Sequence, residues 1–209
     1  VPELAGAAAA EVADLRVAAI AAAAALPDQW IAIGVGRTDQ VFTKVGGTFA
    51  GYGVDVAVSL CPPPVPADTA LPLCALMAGW LRGQANPDAS VAVRVYAADL
   101  TASAALACGR TLRAEIDRAD EAIGVLVVAD GAHTLTPAAP GGFDPDVAAV
   151  QAFLDDALAA GNAAALADVP DVIVGRVAYQ VLAGLAGSEP VSARELARGA
   201  PYGVGYFAG

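Results

Sequence analysis

The sequence predicts an α/β fold, a three-layer αβα sandwich with a central mostly parallel or mixed sheet, in one domain over residues 1–209. Three observations predict it. Apolar runs at 31–35, 91–96 and 123–129 have the length of strands. Longer segments with helical spacing follow at 71–82, 101–119 and 146–160. Strand and helix therefore alternate, which is the pattern of a layered α/β sandwich, with no internal repeat and no low-complexity linker between them.

Taken in order, residues 4–26 read as one long alanine-rich helix ended by Pro27. The 31–35 run reads as a short buried strand. The stretch 34–53 carries Gly46, Gly47, Gly51 and Gly53, is too irregular for a helix, and reads as a long loop. Residues 54–60 alternate weakly, as a strand does. Residues 61–66 include Pro62, Pro63, Pro64 and Pro66 and must be extended or turning. A helix over 71–82 leads to a turn at Asn86-Pro87-Asp88, then the 91–96 strand. The 101–119 helix sets Leu106, Leu112 and Ile116 on one face and Arg113, Asp117 and Asp120 on another. The 123–129 run is almost unbroken between Glu121 and Asp130, the signature of a central strand covered on both faces. A loop over 130–145 precedes a 146–160 helix with Gly161 as its C-cap, and Asn162 caps a short helix to Asp168. Helices are expected over 171–185 and 192–198, and a final edge strand over 203–208.

Charge narrows the partners. The net charge of −11 would be repelled by a nucleic-acid backbone or an anionic membrane surface, so neither is an expected partner. The most apolar run, 17–26, falls well short of the roughly 20 residues of a spanning helix. Cys61, Cys74 and Cys108 are odd in number and lack a C-x-x-C pair, which argues against a disulfide framework and for a cytoplasmic setting. The chain begins without Met, and a strand preceding Val1 is expected.

Chemistry concentrates at Ala129-Asp130-Gly131-Ala132-His133-Thr134, directly after the strongest strand. Ligands of α/β folds bind outside the carboxyl ends of strands, and an imidazole there exchanges protons near neutral pH. Gly131 lets the chain turn, and Asp130, three residues before His133, is placed to orient the ring. The competing reading is a histidine that hydrogen-bonds a loop carbonyl. Ser59 or Ser103 could complete a triad, but no G-x-S-x-G elbow exists. Gly34-Val35-Gly36-Arg37-Thr38 lacks both the third glycine of a dinucleotide fingerprint and the ending of a P-loop, and reads as a turn. A facial-triad iron site needs two histidines and a carboxylate, whereas this chain has His133 alone.

The segment His133-Thr134-Leu135-Thr136-Pro137, continuing through Ala139-Pro140-Gly141-Gly142-Phe143-Asp144-Pro145, resembles a block of the class III extradiol dioxygenase superfamily. It is most similar to the LigB-type domains of the AmmeMemoRadiSam group. The ending Gly199-Ala200-Pro201-Tyr202-Gly203-Val204-Gly205-Tyr206 is similar to the same group's Gly-Pro-Phe-Gly-Val-Gly-Tyr ending, and Phe49-Ala50-Gly51-Tyr52-Gly53 resembles a third block. The resemblance implies an αβα fold and an iron(II) or other divalent-metal site that opens catechol rings. It assigns His133 as acid/base, and Asp130, Gly131, Thr134 and Asp68 are expected to line the same cleft. It also implies a small aromatic substrate and, if the chain is an enzyme, an oxidoreductase.

The sequence departs from that pattern. A family Asp-His-Gly-Thr block survives as Pro66-Ala67-Asp68-Thr69, with Ala67 where the family has histidine, and Ala132 stands where it has serine before His133. The metal ligands are therefore unassigned. The expectation is a LigB-like protein with a degraded or altered metal site. Its rivals are an active dioxygenase drawing ligands from a segment ahead of Val1, and a non-catalytic scaffold that is a homo-oligomer.

Overall fold

The computed structural model describes residues 1–189 and 191–209. Its helices are α1 (Pro2–Ala5), α2 (Ala13–Ala24), α3 (Leu73–Ala85), α4 (Ala102–Ile116), α5 (Val147–Ala159) and α6 (Arg176–Ala186). Its strands are β1 (Gln29–Gly36), β2 (Gln40–Phe42), β3 (Gly46–Thr48), β4 (Ala57–Ser59), β5 (Ser90–Ala97), β6 (Ile123–Val127), β7 (Ala197–Gly199) and β8 (Tyr206–Ala208). The α/β class and the mixed central sheet expected from the sequence are both present. The chain divides into two compact units, one of Val1–Tyr96 with Ala119–Val128 and one of Ala97–Arg118 with Ala129–Gly209.

The first unit is built on a four-stranded sheet in the order β2-β5-β1-β6. β1 runs parallel to β6, with Gln29 opposite Ile123 and Ile33 opposite Val127. β2 runs antiparallel to β5, with Gln40 opposite Val95. Trp30, Ile31, Ala32 and Ile33 are buried in succession along β1, so both faces of this strand are covered. Helix α3 supplies Cys74, Leu76, Ala78 and Trp80 to the same core as Phe49, Leu60 and Val93. Gly34 permits that packing: a Cβ there would lie 2.5 Å from Cys74 Cβ, so any side chain would push α3 off the strand.

The second unit rests on the pairing of α4 with α6. A Cβ on Gly109 would sit 2.1 Å from Val181 O, and one on Gly184 would sit 2.2 Å from Leu106 O, so the two backbones touch through glycine. Thr101 caps α4 by accepting a hydrogen bond from Ala104 N at 3.3 Å. Leu154 of α5 packs with Leu166, Val169, Ile173 and Tyr179, and β7 pairs antiparallel with β8. Asn162 accepts from Ala165 N and caps a 3-10 turn over Ala163–Asp168, while Gly161 takes φ 65 after α5, both at the positions the sequence marks.

Four expectations are corrected. The 4–26 segment is not one helix: α1 gives way to a 3-10 turn over Gly6–Ala10, and α2 starts at Ala13. Gly6 adopts φ 53, and alanine's helix preference is too weak to override such a break where little apolar area is gained. The 34–53 stretch is not a loop throughout, since β2, β3 and a 3-10 turn over Phe49–Tyr52 lie within it. Gly46 and Gly47 sit in β3 because a Cβ at 46 would meet Pro66 O at 2.7 Å. β6 is an edge strand, not a central one. An apolar run reports that its faces are shielded, not how many strands flank it. Finally, residues 192–196 form no helix and lead into β7, which pairs with the tail. Among the described residues no helix is long and apolar enough to cross a membrane.

Candidate functional site

The chain leaves β6 and enters the second unit at Ala129, where backbone pairing fixes its course. Tyr179 Oη donates to Ala129 O at 3.3 Å, Gly175 N to Asp130 O at 2.8 Å, and Val174 N to Gly131 O at 3.4 Å. Ala132 is fully buried, so its polar groups must be met internally. Its N–H donates to Gln151 Oε1 at 2.8 Å, and its carbonyl accepts from Gly205 N at 2.8 Å. Gln151 Nε2 donates onward to Asp155 Oδ1 at 2.8 Å. Gln151 fills the space so fully that a Cβ on Gly205 would lie 2.2 Å from its Cδ, and one on Gly131 would lie 2.5 Å from its Oε1.

His133 follows. Its carbonyl accepts from Gly141 N at 3.0 Å, and the next carbonyl, of Thr134, accepts from Asp144 N at 3.0 Å, which closes the 133–144 segment into a compact loop. The imidazole lies directly on Gly141, where a Cβ would come within 2.3 Å of Cδ2 and 2.5 Å of Nε2. Nδ1 is buried and has no hydrogen-bond partner among the described residues. A buried polar atom left unpaired costs about 1–3 kcal/mol, so this nitrogen is the most exceptional polar atom of the segment. The bland reading of His133, a ring satisfied by a loop carbonyl, is not what Nδ1 does.

Asp130 lies near enough for the two side chains to feel each other's charge, but no side-chain hydrogen bond joins them, so Asp130 does not orient the ring in that way. By area Asp130 is exposed, yet the protein packed around its carboxyl strips enough water to push its pKa up, with His133 pulling it down. Burial, and then the Asp130 carboxylate, raise the phenol pKa of both Tyr179 and Tyr206, so both stay neutral hydrogen-bonding groups at physiological pH. Gly131 and Thr134 lie where the sequence places them, on the same segment as His133. Asp68 belongs to the first unit, where it is exposed and its Oδ1 accepts from Thr69 Oγ1 at 3.4 Å.

Sequence reasoning missed Gln151, Gly175, Tyr179 and Gly205. Gln151 gives no signal, being one amide among the apolar residues of α5. In the sequence Gly205 is distinguished only as part of the C-terminal block, whose Gly205 N–H donates to Ala132 O. The same block also reaches Leu135, whose N–H donates to Gly203 O at 3.1 Å. Neither of two other features coincides with His133. A cavity of about 540 Å³ in the second unit is lined by Asp99, Thr101, Asp168, Asp171, Arg176 and Gln180, and a cavity of about 300 Å³ lies in the first unit.

An iron site would need three converging donors. Among the described residues no group of three or more His, Cys, Asp or Glu side chains could hold a metal ion. The donor set of this chain, with one imidazole, does not fit the two-histidine, one-carboxylate arrangement. No family model matches the chain, and no curated protein matches it.

Proposed function

We propose that the chain is a LigB-superfamily, class III extradiol dioxygenase-like protein with an altered metal site, and not an ordinary catechol dioxygenase. One observation carries the reading. The two segments that resemble the family, 133–145 and 199–206, are far apart in sequence yet bonded to each other through Leu135–Gly203, with Ala132–Gly205 just ahead of the first, and His133 lies between these bonds with an Nδ1 that is buried and, among the described residues, unpartnered. A nitrogen in that state has an unused hydrogen-bonding position. In this reading His133 exchanges a proton with a small aromatic hydroxyl compound, and Asp130, Gly131 and Thr134 of the same segment flank the ring. The setting is cytoplasmic, nucleic acid and membrane are not partners, and the chain self-associates.

The test uses the chain's single histidine, whose imidazole resonances need no further assignment. Catechol is titrated into the protein under anaerobic conditions, with and without ferrous iron, and oxygen is then admitted. The expected result is that catechol moves the imidazole signals while iron binds weakly and no ring-cleaved product forms. Imidazole signals unmoved by catechol would overturn the reading of His133. Stoichiometric iron binding with ring cleavage would instead establish an active dioxygenase.

A further inference from the structure

The first unit holds a cavity that the reading above does not use. It measures about 300 Å³ and is walled by Val56, Val58, Val65 and Trp80, with Ser59 and Arg82 among the lining residues. Arg82 is 3% exposed and is held by backbone oxygens alone. Nε donates to Ser59 O at 2.8 Å, one terminal nitrogen to Ala89 O at 3.1 Å and to Pro87 O, and the other to Cys61 O at 3.2 Å. A guanidinium has five N–H donors, so four such bonds leave one unused. Among the described residues no carboxylate is bonded to it, and burial pushes its pKa down, with Cys61 and Asp88 only partly compensating. A buried charge of this kind is normally paired. Ser59 Oγ is already saturated, donating to Cys61 O and accepting from Cys61 N and Val65 N.

A second donor lines the same cavity. Trp80 is 7% exposed. Among the described residues its indole N–H has no hydrogen-bond partner, whereas the other tryptophan, Trp30, donates its own to Pro27 O.

We propose that this cavity binds a small monocarboxylate with an apolar body. The carboxylate takes the spare Arg82 N–H and the Trp80 indole N–H, supplying the missing counter-charge, while the valine-rich wall covers the hydrocarbon part. Glu3 stands among the lining residues and opposes an anion, which favours one negative charge over several. Inorganic phosphate fits less well, because Glu3 opposes its higher charge and the valine wall offers its remaining oxygens no partner.

Hexanoate, hexanamide and inorganic phosphate are the probes, followed by calorimetry and by the two indole N–H resonances. Hexanoate is expected to release heat and to shift the Trp80 resonance while leaving that of Trp30 in place. Hexanamide and phosphate are expected to do neither at the same concentration. Trp80→Phe removes one donor and should weaken binding on the order of tenfold, the worth of a hydrogen bond to a charged group. Arg82 also ties its loops together, so its replacement could unfold the unit. Gly83→Leu serves instead: a Cβ at exposed Gly83 meets nothing within 4 Å, and the longer side chain closes the cavity with Arg82 intact. That variant should fold and lose hexanoate binding. An equal response to hexanamide, a response to phosphate alone, or unchanged binding in Gly83→Leu overturns the proposal.

Discussion

Replacing Gln151 with leucine isolates the amide that positions the His133 segment. The side chain is 6% exposed and makes two bonds, accepting from Ala132 N and donating to Asp155 Oδ1, both at 2.8 Å. Leucine has similar volume and leaves both partners stranded. The Ala132 N–H, fully buried, then costs about 1–3 kcal/mol, and the largely buried Asp155 carboxylate loses a charge-assisted bond of about 1.5–3 kcal/mol. The apolar gain from leucine offsets roughly 1 kcal/mol. A net loss of about 3 kcal/mol follows, a large share of the 5–15 kcal/mol that holds a typical domain together. For a chain of this size that lowers Tm by about 6–12 °C. Urea unfolding and calorimetry at pH 7 measure it. Gln151→Glu sharpens the test, because it keeps an acceptor for Ala132 but sets a second carboxylate against Asp155. Both carboxyls then have folded pKa values above their unfolded ones, so that variant should approach the wild type below the ordinary carboxylate range and lose stability as pH rises through the folded values. A Gln151→Leu protein within about 0.5 kcal/mol of the wild type would refute the account.

The remaining predictions concern the surroundings. His133→Ala should change stability by no more than about 1 kcal/mol, since the lost contact with Gly141 is offset by removal of an unpaired buried nitrogen, and a loss above about 2 kcal/mol in urea would make the ring a core element instead. Asp155→Asn should raise stability at pH 7 and have no benefit below the unfolded carboxyl pKa, because burial lifts the folded pKa of this group and stability is lost as pH climbs through it. Gly184→Ala should cost about 2 kcal/mol despite alanine's better helix propensity, as α6 must move off Leu106 O, and calorimetry checks it. Thr101→Ala should cost about 1 kcal/mol through the lost cap of α4, seen as reduced amide protection in its first turn by hydrogen exchange.

Where a single local force dominates, the sequence is a sufficient guide. The 91–96 run became β5, and Thr101, Asn162 and Gly161 mark element ends because a side-chain cap or a left-handed turn acts within four residues. Where the outcome depends on what packs alongside, the sequence is silent. Gly46 and Gly47 read as loop glycines, yet they pair with Val58 and Ser59 as β3, where Pro66 and Leu71 approach too closely for a side chain. The alanine run over 4–26 reads as helix because propensity is all it displays, and its break follows from Gly6 and from the small apolar area an alanine can bury.

The same distinction explains which part of the candidate site was legible. His133 stands out because it is alone, and Gly131 because glycine beside it implies a tight turn. What makes the position chemically unusual is the lack of any partner for Nδ1, and that is a property of everything around the ring: Gly141 beneath it, the 203–205 tail closing over Ala132, and Gln151 committing its amide elsewhere. Among the described residues the loop backbone is thoroughly bonded while this nitrogen is not, and that contrast comes from packing between segments distant in sequence, which no local pattern displays.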